Sequence, residues 1–201
     1  MIDPTRTWQM LEQRLETTAN PRHRQVLGIV LEHMKAEAEP DLDRLMATVS
    51  QDAAYHFWGT SGDTGPKGHD GVREYYAAFV ASKANHLEYR MDRLVVDDHA
   101  LVTEGDLHML LPGATAQQMG FPAADPDADY LYVSRQLIVW PVDADGLITA
   151  EDSYTSGPLE FRKLTRAELP QAYQDRVRPQ PACRRTSAVH AAAGSAGKTG
   201  Q

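Results

Sequence analysis

The chain has a single cysteine, Cys183, which rules out an internal disulfide. It lies in a polar stretch near the C-terminus and carries little information about compartment. Long apolar runs are missing too: none approaches the ~20 residues that span a bilayer. The opening MIDPTRTWQM also lacks the basic-then-apolar pattern of an export signal. A cytoplasmic protein with no membrane contact is therefore expected. Basic residues are outnumbered, leaving a net charge of −8. Nucleic acid is not an expected partner, because phosphate binding needs a clustered basic surface. Arg162, Lys163, Arg166 and the arginines near the C-terminus read as a solvated face. There is no Gly-x-Ser-x-Gly elbow, no His-Glu-x-x-His and no paired-cysteine motif, and the eight histidines follow no regular spacing. No metal and no cofactor are expected. The segment AAGSAGKT, residues 192–199, fits a loose phosphate-binding loop, but that mechanism needs a strand before the loop and a helix after it, and only two residues follow. It reads as a chance match.

What remains is an ordinary globular composition: 201 residues, 42% hydrophobic and 24% charged. A domain of ~150 residues buries about two-thirds of its unfolded surface and needs no metal or disulfide to be stable. The pattern divides the chain into an N-terminal helical extension (1–20), a main domain (21–165), a C-terminal helical segment (166–177) and a tail (178–201). The tail is rich in Pro, Ala, Gly and Ser and is expected to be disordered. Asp3 should cap a first helix, and Asn20-Pro21 should end it and start a second that runs to about Ala38. The loose helical spacing of Val26, Leu27, Ile29, Val30 and Met34 predicts burial of that helix on more than one side. Asp41 should cap a short third helix with Leu42, Leu45 and Met46 inward.

In the second half the period changes to two. If Asp97, Asp98 and His99 form a three-residue hairpin loop, Val96 pairs with Ala100. Arg90 then faces Asp106 and Glu88 faces His108, while Tyr89, Met91 and Val95 share the other face with Leu101, Leu107 and Met109. Shortening the loop by one residue destroys both charge pairings, which favours this register. The polar set is expected to form a self-satisfied outer face or a dimer surface.

The order of elements is helix, short helix, the apolar run AAYHFW, a Gly-rich loop, the helix GHDGVREYY and a meander of long strands. This order resembles the nuclear transport factor 2-like superfamily, in its SnoaL-like or ketosteroid-isomerase-like branch, over roughly residues 21–160. The resemblance implies an α+β fold: a cone-shaped, curved, mixed or antiparallel sheet wrapped around a long helix, with an apolar cavity inside. It also implies a hydrophobic small molecule as partner and a homodimer. The dehydratase branch keeps an Asp near the end of the long helix, where this chain has Ala38 between Glu37 and Glu39. Where the polyketide-cyclase branch has Trp-Asp on the last strand, this chain reads Asp152-Ser153, an offset that turns the carboxylate to the other face. The epoxide-hydrolase branch needs an Asp-Arg-Asp set, for which Asp92, Arg90 and Asp106 supply the residue types on the expected outer face.

With a cavity implied, the apolar face nominates its lining. Tyr89, Met91, Leu107 and Met109 come from the hairpin, Tyr76 and Phe79 from the helix after the Gly-rich loop, and Tyr55, Phe57 and Trp58 from the first strand. The strand YLYVSRQLIVW contributes either Tyr130, Tyr132 and Trp140 or Leu131, Val133 and Arg135. Met119 and Phe121, in the long segment 112–129, are placed to close over the mouth, unless that segment is disordered. Candidate proton carriers are His56, since an imidazole is the side chain best suited to take and return protons at neutral pH, and Asp152, whose carboxyl would be raised by apolar walls. Tyr89 and Tyr154 are candidate phenol donors. Two readings follow: an acid-base enzyme (dehydratase, isomerase or cyclase) for a cyclic polyketide- or steroid-like molecule, or a non-catalytic binding module of the same fold.

Overall fold

The computed structural model describes residues 2–59 and 62–177. The tail 178–201, with the AAGSAGKT segment, lies outside the described residues. Six strands form one mixed sheet: β1 (His56–Gly59), β2 (Gly62–Asp63), β3 (Leu87–Val96), β4 (Ala100–Pro112), β5 (Asp129–Pro141) and β6 (Asp152–Leu164), in the order β2-β1-β6-β5-β4-β3. The pair β1–β6 is parallel and the other neighbours are antiparallel.

The helices are α1 (Gln9–Thr17), α2 (Pro21–Ala38), α3 (Leu42–Met46), α4 (Gly68–Ala81), α5 (Gly113–Gln118) and α6 (Gln171–Val177). A 3-10 turn (Pro4–Trp8) comes before α1. Their starts follow the local chemistry: Asp3 accepts from the Thr5 amide, Asn20 from those of Arg22 and His23, and Asp41 from that of Arg44. The Gly-rich loop has a packing reason. Gly65 runs so close to the Tyr55 backbone that a Cβ would overlap the Tyr55 carbonyl.

Helix α2 lies on the concave side. Val26, Leu27, Val30, His33, Met34 and Ala36 are buried, and Ile29 and Leu31 pack on the same core from the flanks. This core includes Leu101 of β4 and Ile138 and Trp140 of β5. A second cluster, with Met109, Leu111, Tyr130 and Tyr132, fills the opposite end of the concave face under α5. On the outer face α6 covers Leu110 and Leu164 through Tyr173. The N-terminal turn is more than an appendage: the Thr7 hydroxyl accepts from the Tyr89 amide, and the Asp3 amide donates to Glu88, tying the turn to edge strand β3.

The β3–β4 register corrects the sequence reading in an informative way. Arg90 is opposite Asp106 and Glu88 opposite His108, as expected, yet near the turn Val96 pairs with Leu101 rather than Ala100. A bulge between Met91 and Arg93 absorbs the difference. The extra residue flips the faces beyond it, so Leu94 and Val96 pack inward and Val95, expected inside, is 54% exposed. Gly105 sits opposite the bulge, where a Cβ would overlap the Arg90 carbonyl. We therefore expect Gly105→Ala to lower stability by about 2–3 kcal/mol in denaturant titration, the cost of forcing backbone apart in a packed sheet.

Candidate functional site

Between the two inner clusters a cavity of about 640 Å³ remains open. Its size suits a small organic molecule. Met34, Phe57, Tyr75, Phe79, Tyr89, Ile138 and Trp140 form one part of the wall. Leu87, Leu107, Met109, Met119, Phe121 and Tyr132 form the other. Phe121 is held against Tyr132 and Phe161, with ring centroids 4.7 and 5.4 Å apart. Segment 112–129 is thus ordered, with a helix of its own, and supplies a side of the cavity. Thr7 of the N-terminal turn also reaches the wall.

Two carboxyls enter this apolar space. Glu37 continues the inward stripe of α2, one turn beyond His33 and Met34. Glu151 immediately precedes β6 and shares the inward parity of Ser153 and Thr155. Both residues are partly buried, with part of their surface on the cavity wall. No lysine, arginine or histidine is among the described residues lining the cavity. Burial raises the Glu37 carboxyl to about 8, with the Glu151 charge adding to the effect. Glu37 has no hydrogen-bond partner among the described side chains or backbone. Burial also raises Glu151, to about 7, opposed by the Tyr76 hydroxyl 2.8 Å away. Near neutral pH the pair therefore shares protons and is not doubly ionised.

Behind Glu151 the polar contacts continue inward. Tyr76 also lies 2.8 Å from His33 Nε2, and His33 Nδ1 is 2.7 Å from Thr48 Oγ1. Burial lowers His33 to about 3, so its ring is neutral. The hydroxyl of Tyr89, on the cavity wall, donates to the Gln136 carbonyl at 3.1 Å.

The residues nominated from the sequence separate by strand parity. Tyr89, Phe57, Phe79, Leu107, Met109 and Tyr132 line the cavity; Met119, 48% exposed, and Trp58, 42% exposed, border it, the Trp58 ring stacking on His56 and Tyr154 of the opposite face. Tyr55, Tyr76 and Met91 belong to the core beside it. His56, Asp152 and Tyr154 lie on the opposite face, because β1 and β6 turn Phe57, Ser153 and Thr155 inward. There His56 Nδ1 is 2.8 Å from Asp63, and Trp58 and Tyr154 stack with centroids 6.5 Å apart. Of the two β5 alternatives, Tyr130, Tyr132 and Trp140 point inward. Arg135 instead pairs with Asp92, Glu104 and Asp106 on the outer face. The Asp-Arg-Asp set thus assembles around Arg135, while Arg90 pairs with Glu88 at 2.8 Å. Neither Glu37 nor Glu151 was among the nominated proton carriers, although each adjoins a position where the resemblance pointed to an acid and a glutamate beside Ala38 could stand in for it. Inward parity on α2 and β6 was the available signal.

A bent sheet closed over a long helix, with a cavity holding two acids, defines an α+β roll of the nuclear transport factor 2-like type. Residues 30–151, more than half of the chain, match the model of the SnoaL-like domain, and the chain belongs to that family. Solved structures share the fold at low identity. A protein provisionally named as a SnoaL-like polyketide cyclase, from Shewanella putrefaciens CN-32, superposes with a TM-score of 0.56 at 13% identity, over 77% of this chain and 89% of its own. Another of the same provisional name, from Jannaschia sp. CCS1, gives 0.54 at 15%, over 70% and 91%. An LEH-like epoxide hydrolase from M. tuberculosis gives 0.50 at 18%, over 68% and 86%. No curated protein matches the chain in sequence.

The raised Glu37 carboxyl has a thermodynamic consequence. The folded protein keeps a proton that the unfolded chain releases, so folding loses stability as pH rises from about 4.5 to about 8. Glu37→Gln removes this penalty. The variant should melt about 5 °C or more above wild type at pH 9 and close to it at pH 4, as read by calorimetry.

Proposed function

We propose that this protein is an acid-base enzyme acting on an uncharged, hydrophobic, cyclic molecule of polyketide or steroid type. The observation that supports this most is the pair of glutamates, Glu37 and Glu151, in a largely apolar cavity without a cationic side chain among its described lining. Two like charges in such a space favour the singly protonated pair, which offers a base and an acid at once. Glu151, the lower of the two, acts as the base; it takes a proton from carbon beside a carbonyl or from an attacking hydroxyl. Glu37 stays protonated and donates to the oxygen that gains charge or leaves. Isomerisation, dehydration and aldol-type cyclisation all need this division of labour, with the apolar walls holding the ring system. The absence of a lining cation argues against an anionic substrate. A homodimer formed through the outer sheet face, where Trp58 and Tyr154 are exposed, belongs to the same proposal.

Screening wild type, Glu37→Gln and Glu151→Gln against polycyclic ketones and aromatic polyketides, with binding and conversion followed separately, tests the reading. Each variant should bind with affinity near wild type and lose about 100-fold or more in kcat. The wild-type rate should be bell-shaped in pH, its two limbs belonging to the carboxyl pair. Tight binding without conversion by wild type would make the protein a carrier of such molecules.

A further inference from the structure

The Tyr76 hydroxyl has one proton and two claimants, Glu151 Oε2 and His33 Nε2, each at 2.8 Å. Beyond the imidazole, Nδ1 is 2.7 Å from Thr48 Oγ1, which lies 2.6 Å from the Leu45 carbonyl oxygen. Counting protons leaves two complete arrangements. With Glu151 protonated, the carboxyl donates to Tyr76, Tyr76 donates to Nε2, Nδ1–H donates to Thr48, and Thr48 donates to the Leu45 carbonyl. With Glu151 ionised, the directions reverse: Tyr76 donates to the carboxylate, Nε2–H donates to the phenol oxygen, and Thr48 donates to Nδ1. The forms differ by the one proton that Glu151 gives up. His33 is neutral in both and differs only in which nitrogen carries its hydrogen.

We infer that His33 and Tyr76 are positioning residues whose hydrogen-bond chain reverses direction with the proton on Glu151, so that this carboxyl takes up and releases a proton without orphaning a buried polar group. The inference rests on the reading of Glu151 as a proton carrier. The physical reason lies in the alternatives. A fixed cation beside Glu151 would hold it ionised, and a purely apolar wall would hold it protonated. A buried donor or acceptor left unmatched would oppose each movement of the proton. An imidazole removes that opposition, because either nitrogen can donate while the other accepts. The remaining ionisable groups that act with Glu151 are Glu37 from α2, Tyr75 from α4, Tyr55 before β1, Tyr89 from β3 and the neighbouring Asp152. None is a cation, so the ionised form is favoured chiefly by the chain through Tyr76, with the Ser153 hydroxyl as a second, smaller donor.

Nitrogen-15 NMR of the histidine rings, together with carbon-13 NMR of the glutamate carboxyls, tests this in the wild-type protein without substrate. His33 should stay neutral from pH 5 to 9 and pass from its Nδ1–H to its Nε2–H tautomer with the same midpoint as Glu151, assigned by loss of its resonance in Glu151→Gln. In Glu151→Gln the tautomer should no longer respond to pH. Tyr76→Phe should uncouple the ring and raise the Glu151 midpoint by about one unit, because the carboxylate loses its donor. A His33 that keeps one tautomer while Glu151 titrates, or that takes on a second proton instead, overturns the inference. Failure of the proposed function is distinct: wild type would not convert any substrate, whatever the tautomer does.

Discussion

Side chains alternate along a strand, and in this molecule that parity decides what becomes core, cavity or surface. Once α2 occupies the concave side, each strand must turn one set of residues toward it. Ser153 and Thr155 go inward on β6 while Asp152 and Tyr154 go outward. On β3 a single bulge changes the parity partway along, so that Tyr89 and Leu94 both face the interior although their odd offset would put them on opposite faces of a regular strand. The helix fills only one end of the hollow and the Tyr132–Phe121 cluster only the other. The space between them is the cavity.

That hollow sets the electrostatics. A carboxylate in bulk water is fully hydrated, whereas one on an apolar wall must find donors or keep its proton. Glu151 has two donors, the hydroxyls of Ser153 and of Tyr76, the latter depending on a neutral histidine; Glu37 has none among the described residues. The outer face follows the opposite rule: Arg135 draws together Asp92, Glu104 and Asp106 in solvent, where such pairs contribute little to stability and keep the sheet soluble. Acidic groups are thus divided between a water-poor interior that alters their proton affinity and a wet exterior that neutralises them with arginine.

Local chemistry was readable from the sequence. Asp3, Asn20 and Asp41 cap helices because their short side chains reach the first free amides, and the Arg90–Asp106 and Glu88–His108 pairings follow from charge and period. Parity across a bulge was not readable, since one extra residue in the turn and one in the strand cancel at Arg90 and differ only between them. The proposed proton carriers were hidden for a related reason. Both sought positions, Ala38 and Asp152, lie one residue from the glutamate that enters the cavity, and a single step on a strand or helix changes the face. The chain from Glu151 to Thr48 joins four separate segments of the sequence, and no spacing in one dimension announces it.

The turn at Pro4–Trp8 also bears on how copies of this protein can meet. A sheet with an open border invites a stranger's strand to pair with it, the first step toward fibrous aggregates. Here one border, β2, is two residues long, and the other, β3, has Thr7 and Asp3 bonded along its first residues and a bulge twisting the remainder. Neither offers a long straight row of free amides. Self-association by sheet extension is discouraged, so a stable assembly would have to form by laying one broad face against another.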